Sequence, residues 1–491
     1  MKNNPWQRTT TKITGALIGA FGVLGGEVAS GSDFTLGPLV QVSGPSPLGT
    51  CSPTNFPSSE VEPWIVVNPT NPNNIVGVWR QDVDFLFGGF VVGVSFDGGG
   101  SWQSVVIPGH IQCADGSFMW GSDPWLTFAP NGDLYFTSTV HDTRPGGQDI
   151  RSAALVSKST DSGLTWGAPI TLIENGPRPI SDKGSITADP TNAQFVYAIW
   201  TDSHSSGRGQ AVFARTTNAG LSWEPARVIY DPLGIDVTSG HQIVVLPDGM
   251  LADLFTHSVW RNAKGGAPHD DLFLTVLRSA DRGATWGTPI RAVQMFPARV
   301  FDPDTGRTVN TSASSISALP EVAVDPNNGN LYAVWEDARF TPSQANAIAF
   351  SMSTDGGSTW SSPIKINKTP TNILPANQQA FTPSIAVAAD GTVGVSYYDF
   401  RFNDASPGLP TDYWFVHAHP TAPGGLTNPA NWGDELRLTD TSFDMEQAPA
   451  VGGFFVGDYE GLASGGNDFL AFFSQPHGSD FASVFFRRVG P

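Results

Sequence analysis

One eight-residue phrase occurs five times in this chain. The copies are SFDGGGSW (Ser95 to Trp102), STDSGLTW (Ser159 to Trp166), TTNAGLSW (Thr216 to Trp223), SADRGATW (Ser279 to Trp286) and STDGGSTW (Ser353 to Trp360). Their starts lie 64, 57, 63 and 74 residues apart. Recurrence at that period predicts a repeat architecture, in which each copy marks one supersecondary unit that buries its apolar face only against its neighbours.

A second phrase precedes each copy. It is a short apolar strand, a turn rich in Asn, Asp, Pro and Gly, and a second strand ending in aromatics. It reads EPWIVVNPTNPNNIVGVW (Glu62 to Trp79), DPWLTFAPNGDLYFTS (Asp123 to Ser138), GSITADPTNAQFVYAIW (Gly184 to Trp200) and HQIVVLPDGMLADLF (His241 to Phe255). It returns as PEVAVDPNNGNLYAVW (Pro320 to Trp335), PSIAVAADGTVGVSYY (Pro383 to Tyr398) and, more divergently, VGDYEGLASGGNDFLAFF (Val456 to Phe473). A further strand follows three of the copies, as in GAPITLI (Gly167 to Ile173). Each unit therefore reads strand A, turn, strand B, loop, strand C, repeat turn, strand D. No segment sustains a helical period. The expectation is an all-β chain, a β-propeller of four-stranded antiparallel blades, seven by count of the A–B phrases. The repeat turn is lost from the last two units, although Trp432 stands where a sixth copy would end. Gly37 to Ser43 (GPLVQVS) reads as a strand D without a blade, placed to close the ring on the final unit and cover its edge.

The net charge of −19 excludes the Lys/Arg footprint that nucleic acid or an anionic membrane surface demands. With 54 Gly, 39 Pro and only 14% charged residues, the composition suits a tightly turned β protein. Residues 1–31 read as an export signal: a basic start (Lys2, Arg8, Lys12), an apolar run from Ile13 to Gly26 too short to span a bilayer, and small residues at Val28-Ala29-Ser30. The expectation is a secreted protein, extracellular or periplasmic, with one propeller domain over residues 32–491 and no membrane span. Cys51 and Cys113 are the only cysteines, either paired or two free thiols. Nothing spaces them as a metal site. No cofactor is expected; Asp-rich loops are compatible with a structural calcium ion, but no 12-residue ligand loop is present.

The eight-residue phrase resembles the Asp-box, or BNR repeat, S-x-D-x-G-x-T-W, of the sialidase (neuraminidase) superfamily, whose members are β-propellers. The resemblance implies that these turns lie on the outer rim, away from the active face, with six blades, the usual number in that family, as the alternative count. In such a turn the Asp or Asn accepts backbone N–H groups, Gly takes positive φ and Trp packs on the next blade.

The opposite face would carry the B–C loops. They read WRQDVD (Trp79 to Asp84), HDTR (His141 to Arg144), TDSHSSGR (Thr201 to Arg208), THSVWRN (Thr256 to Asn262), WEDAR (Trp335 to Arg339) and YYDFR (Tyr397 to Arg401). Arg80, Arg144, Arg208, Arg261, Arg339 and Arg401 are thereby candidates to line one rim, beside Asp337, Asp399 and, in GDYEGL, Asp458. Converging guanidinium groups suit a carboxylate ligand. The same Asp-x-Arg pairs can equally salt-bridge to one another at little gain.

The resemblance implies an exo-acting hydrolase on a sialic-acid-type glycan, with three Arg clamping the sugar carboxylate and a Tyr nucleophile. On that reading Arg80, Arg339 and Arg401 are the best clamps. Tyr398 or Tyr459 is the nucleophile, Glu321 or Glu336 its activator, and Asp82 or Asp84 the acid. The family's N-terminal Phe/Tyr-Arg-Ile-Pro motif is absent. His141, His204 and His257 admit a second reading, a lyase or other glycosidase on uronic-acid polysaccharide. A third is a monomeric propeller that binds glycan or protein without chemistry.

Overall fold

The computed structural model describes residues 34–49, 55–84, 88–144, 148–261, 269–309, 319–341 and 345–491. The export signal expected over residues 1–31, and Cys51, lie outside them. Cys113 is disulfide-bonded. Among the described residues there are 29 β-strands and a few single-turn 3₁₀ helices, with no α-helix.

Five antiparallel blades stand as separate sheets. The first is Glu60–Val67, Ile75–Gln81, Gly89–Ser95 and Gln103–Val106. The second is Trp120–Phe128, Leu134–Arg144, Gln148–Ser159 and Ile170–Asn175. Beyond them come Glu321–Val324, Leu331–Asp337, Ala347–Ser353 and Ile364–Lys365, then Ala380–Val387, Val393–Asp399, Pro410–Ala418 and Gly433–Arg437. The last joins Gly461–Gly465, Asp468–His477 and Asp480–Gly490 to Thr35–Gln41 from the other end of the chain.

The expected count of seven, or six, separate blades is corrected. The eight strands from Ile180–Ala188 to Ile290–Met295 form one continuous sheet. Its two halves are joined by a parallel pairing of Gly209 with Val237. Gly209 N donates to Asp236 O at 3.2 Å, and Thr238 Oγ1 donates to Gly209 O at 3.2 Å. A Cβ at Gly209 would meet Val237 Cγ1 at 2.7 Å, so the weld depends on glycine.

The innermost strands neighbour one another in a closed cycle: Glu60–Val67, Trp120–Phe128, Ile180–Ala188, Val237–Val245, Glu321–Val324, Ala380–Val387, Gly461–Gly465 and back to the first. The closure expected of the N-terminal strand is present, with Thr35 opposite Gly490 and Gln41 opposite Phe485. It continues past the strand, where Val42 N donates to Val484 O at 2.8 Å.

The five repeat turns share one hydrogen-bond pattern. Asp97, Asp161, Asn218, Asp281 and Asp355 each accept the N–H four residues on, at 2.8 to 3.0 Å. Gly99, Gly163, Gly220, Gly283 and Gly357 all have φ between +78° and +98°. Hydrogen bonds from neighbouring hydroxyl and N–H groups hold the Asp97, Asp281 and Asp355 carboxyls down at about 2. The phrase is thus a turn staple. Trp432 keeps one piece of it, donating Nε1 to Leu426 O at 2.8 Å and packing 4.8 Å from Phe350.

Candidate active-site cleft at the inner strands

Five inner strands break their pairing register at the same place: between Val61 and Trp64, Ser122 and Trp125, Asp182 and Ser185, Ser239 and Gln242, and Phe381 and Ser384. Each break holds a residue of positive φ: Glu62 (56°), Asp123 (53°), Lys183 (54°), Gly240 (67°) and Thr382 (48°). Glu62, Asp123 and Thr382 precede proline, which keeps a residue out of the right-handed helical region. A bulge re-aims its side chain, and non-glycine residues at positive φ cost on the order of 1 kcal/mol or more each. On three successive inner strands that cost is borne by a charged residue.

These residues form a relay. Asp123 N donates to Glu62 Oε2 at 3.2 Å, and Lys183 N donates to Asp123 Oδ2 at 3.1 Å. Lys183 Nζ reaches Asp123 Oδ1 at 3.2 Å and also pairs with Asp458. Ser122 Oγ and Thr139 Oγ1 donate to Asp123 Oδ2 at 2.9 and 2.8 Å. Tyr459 donates its hydroxyl to Pro124 O at 3.1 Å, and its ring packs 5.1 Å from Trp125.

Burial and crowding split the carboxyls. Burial pushes Glu62 up to about 7, with Asp123 adding to it. Burial, then Asp123, pushes Asp182 up to about 7. Burial also opposes the charge on Asp123, but Lys183 and the two hydroxyls outweigh it and hold this carboxyl below its ordinary value. Tyr459 is raised well above a normal phenol by burial and by Glu62, Asp123, Asp458 and Glu321.

A narrow cleft, with about 20 Å³ of room between its walls, is lined by Asp123, Lys183, Ser185, His241, Glu321 and Tyr459, among others. Glu321, from the start of its inner strand, accepts Gln242 Nε2 at 2.8 Å, and burial pushes its carboxyl up to about 8. One cleft thus holds an ionised carboxylate, Asp123, and a carboxylic acid that stays protonated at neutral pH, Glu321.

Of the residues singled out in the sequence, the structure brings Tyr459, Glu321 and Asp458 to this cleft or its relay. Arg80 lies beside them. It is buried, its field acts on Glu62, and it donates Nη2 to Asp84 O at 2.9 Å. His141 stacks 4.3 Å from Trp120, and burial lowers it to about 4.

The others are placed elsewhere, each for a physical reason. Tyr398 is enclosed in an aromatic cluster, 5.5 Å from Phe381, and donates to Ser474 O at 2.6 Å, so it is a core residue. Glu336 accepts Thr382 N at 2.9 Å and Asn346 Nδ2 at 3.0 Å, and burial raises it to about 8. It takes up the N–H of the next bulge, as Glu62 and Asp123 do. Asp82 accepts Ser58 N at 2.9 Å and Asp84 accepts Asn55 Nδ2 at 2.9 Å, pinning the loop ahead of the first blade.

The expected convergence of six Arg is corrected. Arg339 is chelated by Asp337, at 2.8 Å from Nε to Oδ1, and lies over Phe296. Arg401 is held by Asp399 and Glu435 and lies 3.6 Å over Trp414. Arg208 pairs with Asp231 at 3.4 Å and Arg261 with Asp271 at 3.1 Å. Arg144 is exposed at the end of its strand. His204 bonds Gln210, and burial lowers His257, 3.7 Å from Asp236, to about 4. A Tyr–Glu pair does exist, Tyr397 with Glu435, but Tyr397 is fully buried and Glu435 lies on an outer strand.

The residues that make the relay, Glu62, Asp123, Asp182 and Lys183, were missed, as was His241. The signal was an acid before Pro-Trp at the head of the first two A strands (EPW, DPW). Among the described residues, no group of His, Cys, Asp and Glu is arranged to hold a metal ion. No helix among them is long and apolar enough to cross a membrane.

No known sequence family matches the chain, and no curated relative does. It is similar to several solved structures. One is a protein of unknown function from Dyadobacter fermentans, with TM-score 0.48, 12% identity and coverage of 94% of this chain and 99% of that one. Another is a Penicillium chrysogenum α-L-arabinanase complexed with arabinobiose, with TM-score 0.47, 14% identity and coverage of 74% and 94%. A third is a leech intramolecular trans-sialidase, with TM-score 0.45, 11% identity and coverage of 91% and 70%.

Proposed function

We propose that the chain is a glycoside hydrolase working at the inner-strand cleft. The observation that carries this reading is the pair of carboxyls on one cleft whose environments push them apart, Asp123 down and Glu321 up to about 8. That division assigns acid and base in a hydrolase built on two carboxyls. Glu321 gives its proton to the leaving oxygen. Asp123, kept ionised by Lys183, faces the positive charge that develops on the sugar and takes a proton from the water that attacks that carbon. Tyr459 keeps its hydroxyl neutral beside them.

The sialic-acid reading has less support. The cations at the cleft and its relay are Lys183 and Arg80, set against Glu62, Asp123, Asp182 and Asp458. An anionic sugar would meet more negative than positive charge there, so a neutral glycan is the better fit. Export through residues 1–31 is part of the proposal, supported by their basic start and apolar run.

A purely structural reading has its own observation. Glu62 and Asp123 each accept the N–H of the next inner strand, which ties strands around the ring. The test is release of sugar from neutral glycosides, sialosides and uronic-acid polysaccharides by the wild type and by Asp123→Asn. The amide still accepts the Lys183 N–H but carries no charge. Activity lost in a variant that melts near wild type supports the hydrolase. Absence of cleavage by folded wild type sinks it.

A further inference from the structure

His241 sits on the same cleft, and the role given to Asp123 and Glu321 leaves it unused. Its ring is fixed from two sides, and its backbone from a third. Nδ1 lies 2.9 Å from Asp253 Oδ2, both side chains being fully buried. The ring stacks 4.5 Å from Phe255. Its backbone carbonyl accepts Ser185 Oγ at 2.7 Å, from the neighbouring inner strand. Nε2 is buried and has no hydrogen-bond partner among the described residues.

Comparison with another enclosed histidine gives that orphan atom meaning. His110 spends both ring nitrogens on serine hydroxyls, Ser138 at 2.8 Å and Ser157 at 2.9 Å, so it is a satisfied structural residue. His241 spends one and keeps one. Burial raises the Asp253 carboxyl and His241 beside it lowers it; in its ionised form it can only accept, which keeps the proton on Nδ1 and leaves the Nε2 lone pair as an acceptor. A buried acceptor without a partner is costly, and its natural complement is an O–H donor. Gln242, the next residue, holds the acid Glu321. His241 is therefore anchored to the strand that positions the proton donor.

We propose that His241, oriented by Asp253, is a specificity-determining residue that accepts a hydroxyl of the bound sugar. This rests on the cleft being the glycan site. A site built to bond a hydroxyl rejects the deoxy analogue strongly, here by at least about 100-fold in kcat/KM. Asp253 acts through His241 and is a positioning residue.

The test is nitrogen NMR of the full chain with ring-labelled histidine. The His241 signals are assigned by their loss in His241→Gln or, should that variant not fold, by their shift in Asp253→Asn. The probes are methyl glucoside, galactoside and xyloside with their monodeoxy forms. The expected result is an unprotonated Nε2 whose signal moves with at least one glycoside and not with one of its deoxy forms. Asp253→Asn should move the proton to Nε2 and abolish that response. A protonated Nε2 in the wild type, or a signal that no glycoside moves, overturns the proposal. If the signal responds but the wild type cleaves nothing, the hydrolase reading fails while His241 stands as a sugar-binding residue.

Discussion

Lys183 holds Asp123 twice, by its backbone N–H at 3.1 Å and by its ammonium at 3.2 Å. The first contact ties one inner strand to the next, and the second keeps the carboxyl ionised. Lys183→Met removes only the second. The Asp123 carboxyl should then rise, and the acid limb of the pH–rate profile should move to higher pH. Breaking such a buried pair costs up to about 3–5 kcal/mol, less here because Lys183 is partly exposed. A profile that does not move would show that Lys183 does not set the Asp123 charge.

The buried acids predict an unusual pH dependence of stability. Burial raises Glu60, Glu321 and Glu336 to about 8, and Glu62 and Asp182 to about 7. Each binds its proton more tightly folded than unfolded. The stability each contributes is full below the ordinary carboxyl range and is lost as pH rises through 7 to 8. Thermal melting should therefore give a higher Tm near pH 5 than near pH 8.5. The carboxyls of the repeat turns, held at about 2, lose their contribution only at far lower pH and do not disturb this comparison. A Tm that is flat or rising over that span would contradict the assignment.

Glu336→Gln isolates one of these groups. Its carboxyl accepts Thr382 N at 2.9 Å, a bond the amide oxygen can keep. The variant should lose part of the alkaline fall in Tm while retaining activity, because Glu336 is not among the cleft-lining residues. Equal slopes in variant and wild type would show that Glu336 does not titrate in the folded protein.

Asp161→Ala removes an acceptor that holds Thr165 N at 2.9 Å in one repeat turn. The expected outcome is a Tm lower by about 1 °C, as loss of about 1 kcal/mol gives in a chain of this size, with unchanged kcat and KM. A loss of activity at unchanged Tm would place chemistry at the turns.

The sequence showed the fold more clearly than the site, for different physical reasons. The repeat turns need Asp, Gly and Trp at fixed offsets, so Ser159 to Trp166 is legible as a motif. Gly37 to Ser43 betrayed its role because a lone strand D has only one blade to complete. The blade count failed at Gly209, where a backbone pairing with Val237 carries no side-chain signature. In the cleft, Asp-x-Arg loops such as Asp337-Ala338-Arg339 looked like a carboxylate clamp and proved to be self-paired. Asp123 and Lys183 were illegible because a bulge aims them, and a bulge is visible only in the pairing register. Tyr459 and Glu321 were reachable because they stood out as polar positions at or near apolar strands.

The central claim is that Glu321 supplies the proton. It is tested most directly by the pH dependence of kcat/KM for wild type and Glu321→Gln, on the glycoside that the wild type cleaves, with poor and good leaving groups. The account predicts a wild-type alkaline limb near pH 8, absent in Glu321→Gln, with the variant crippled on the poor leaving group and largely spared on the good one. A Glu321→Gln variant that keeps both its rate on the poor leaving group and its alkaline limb would contradict it.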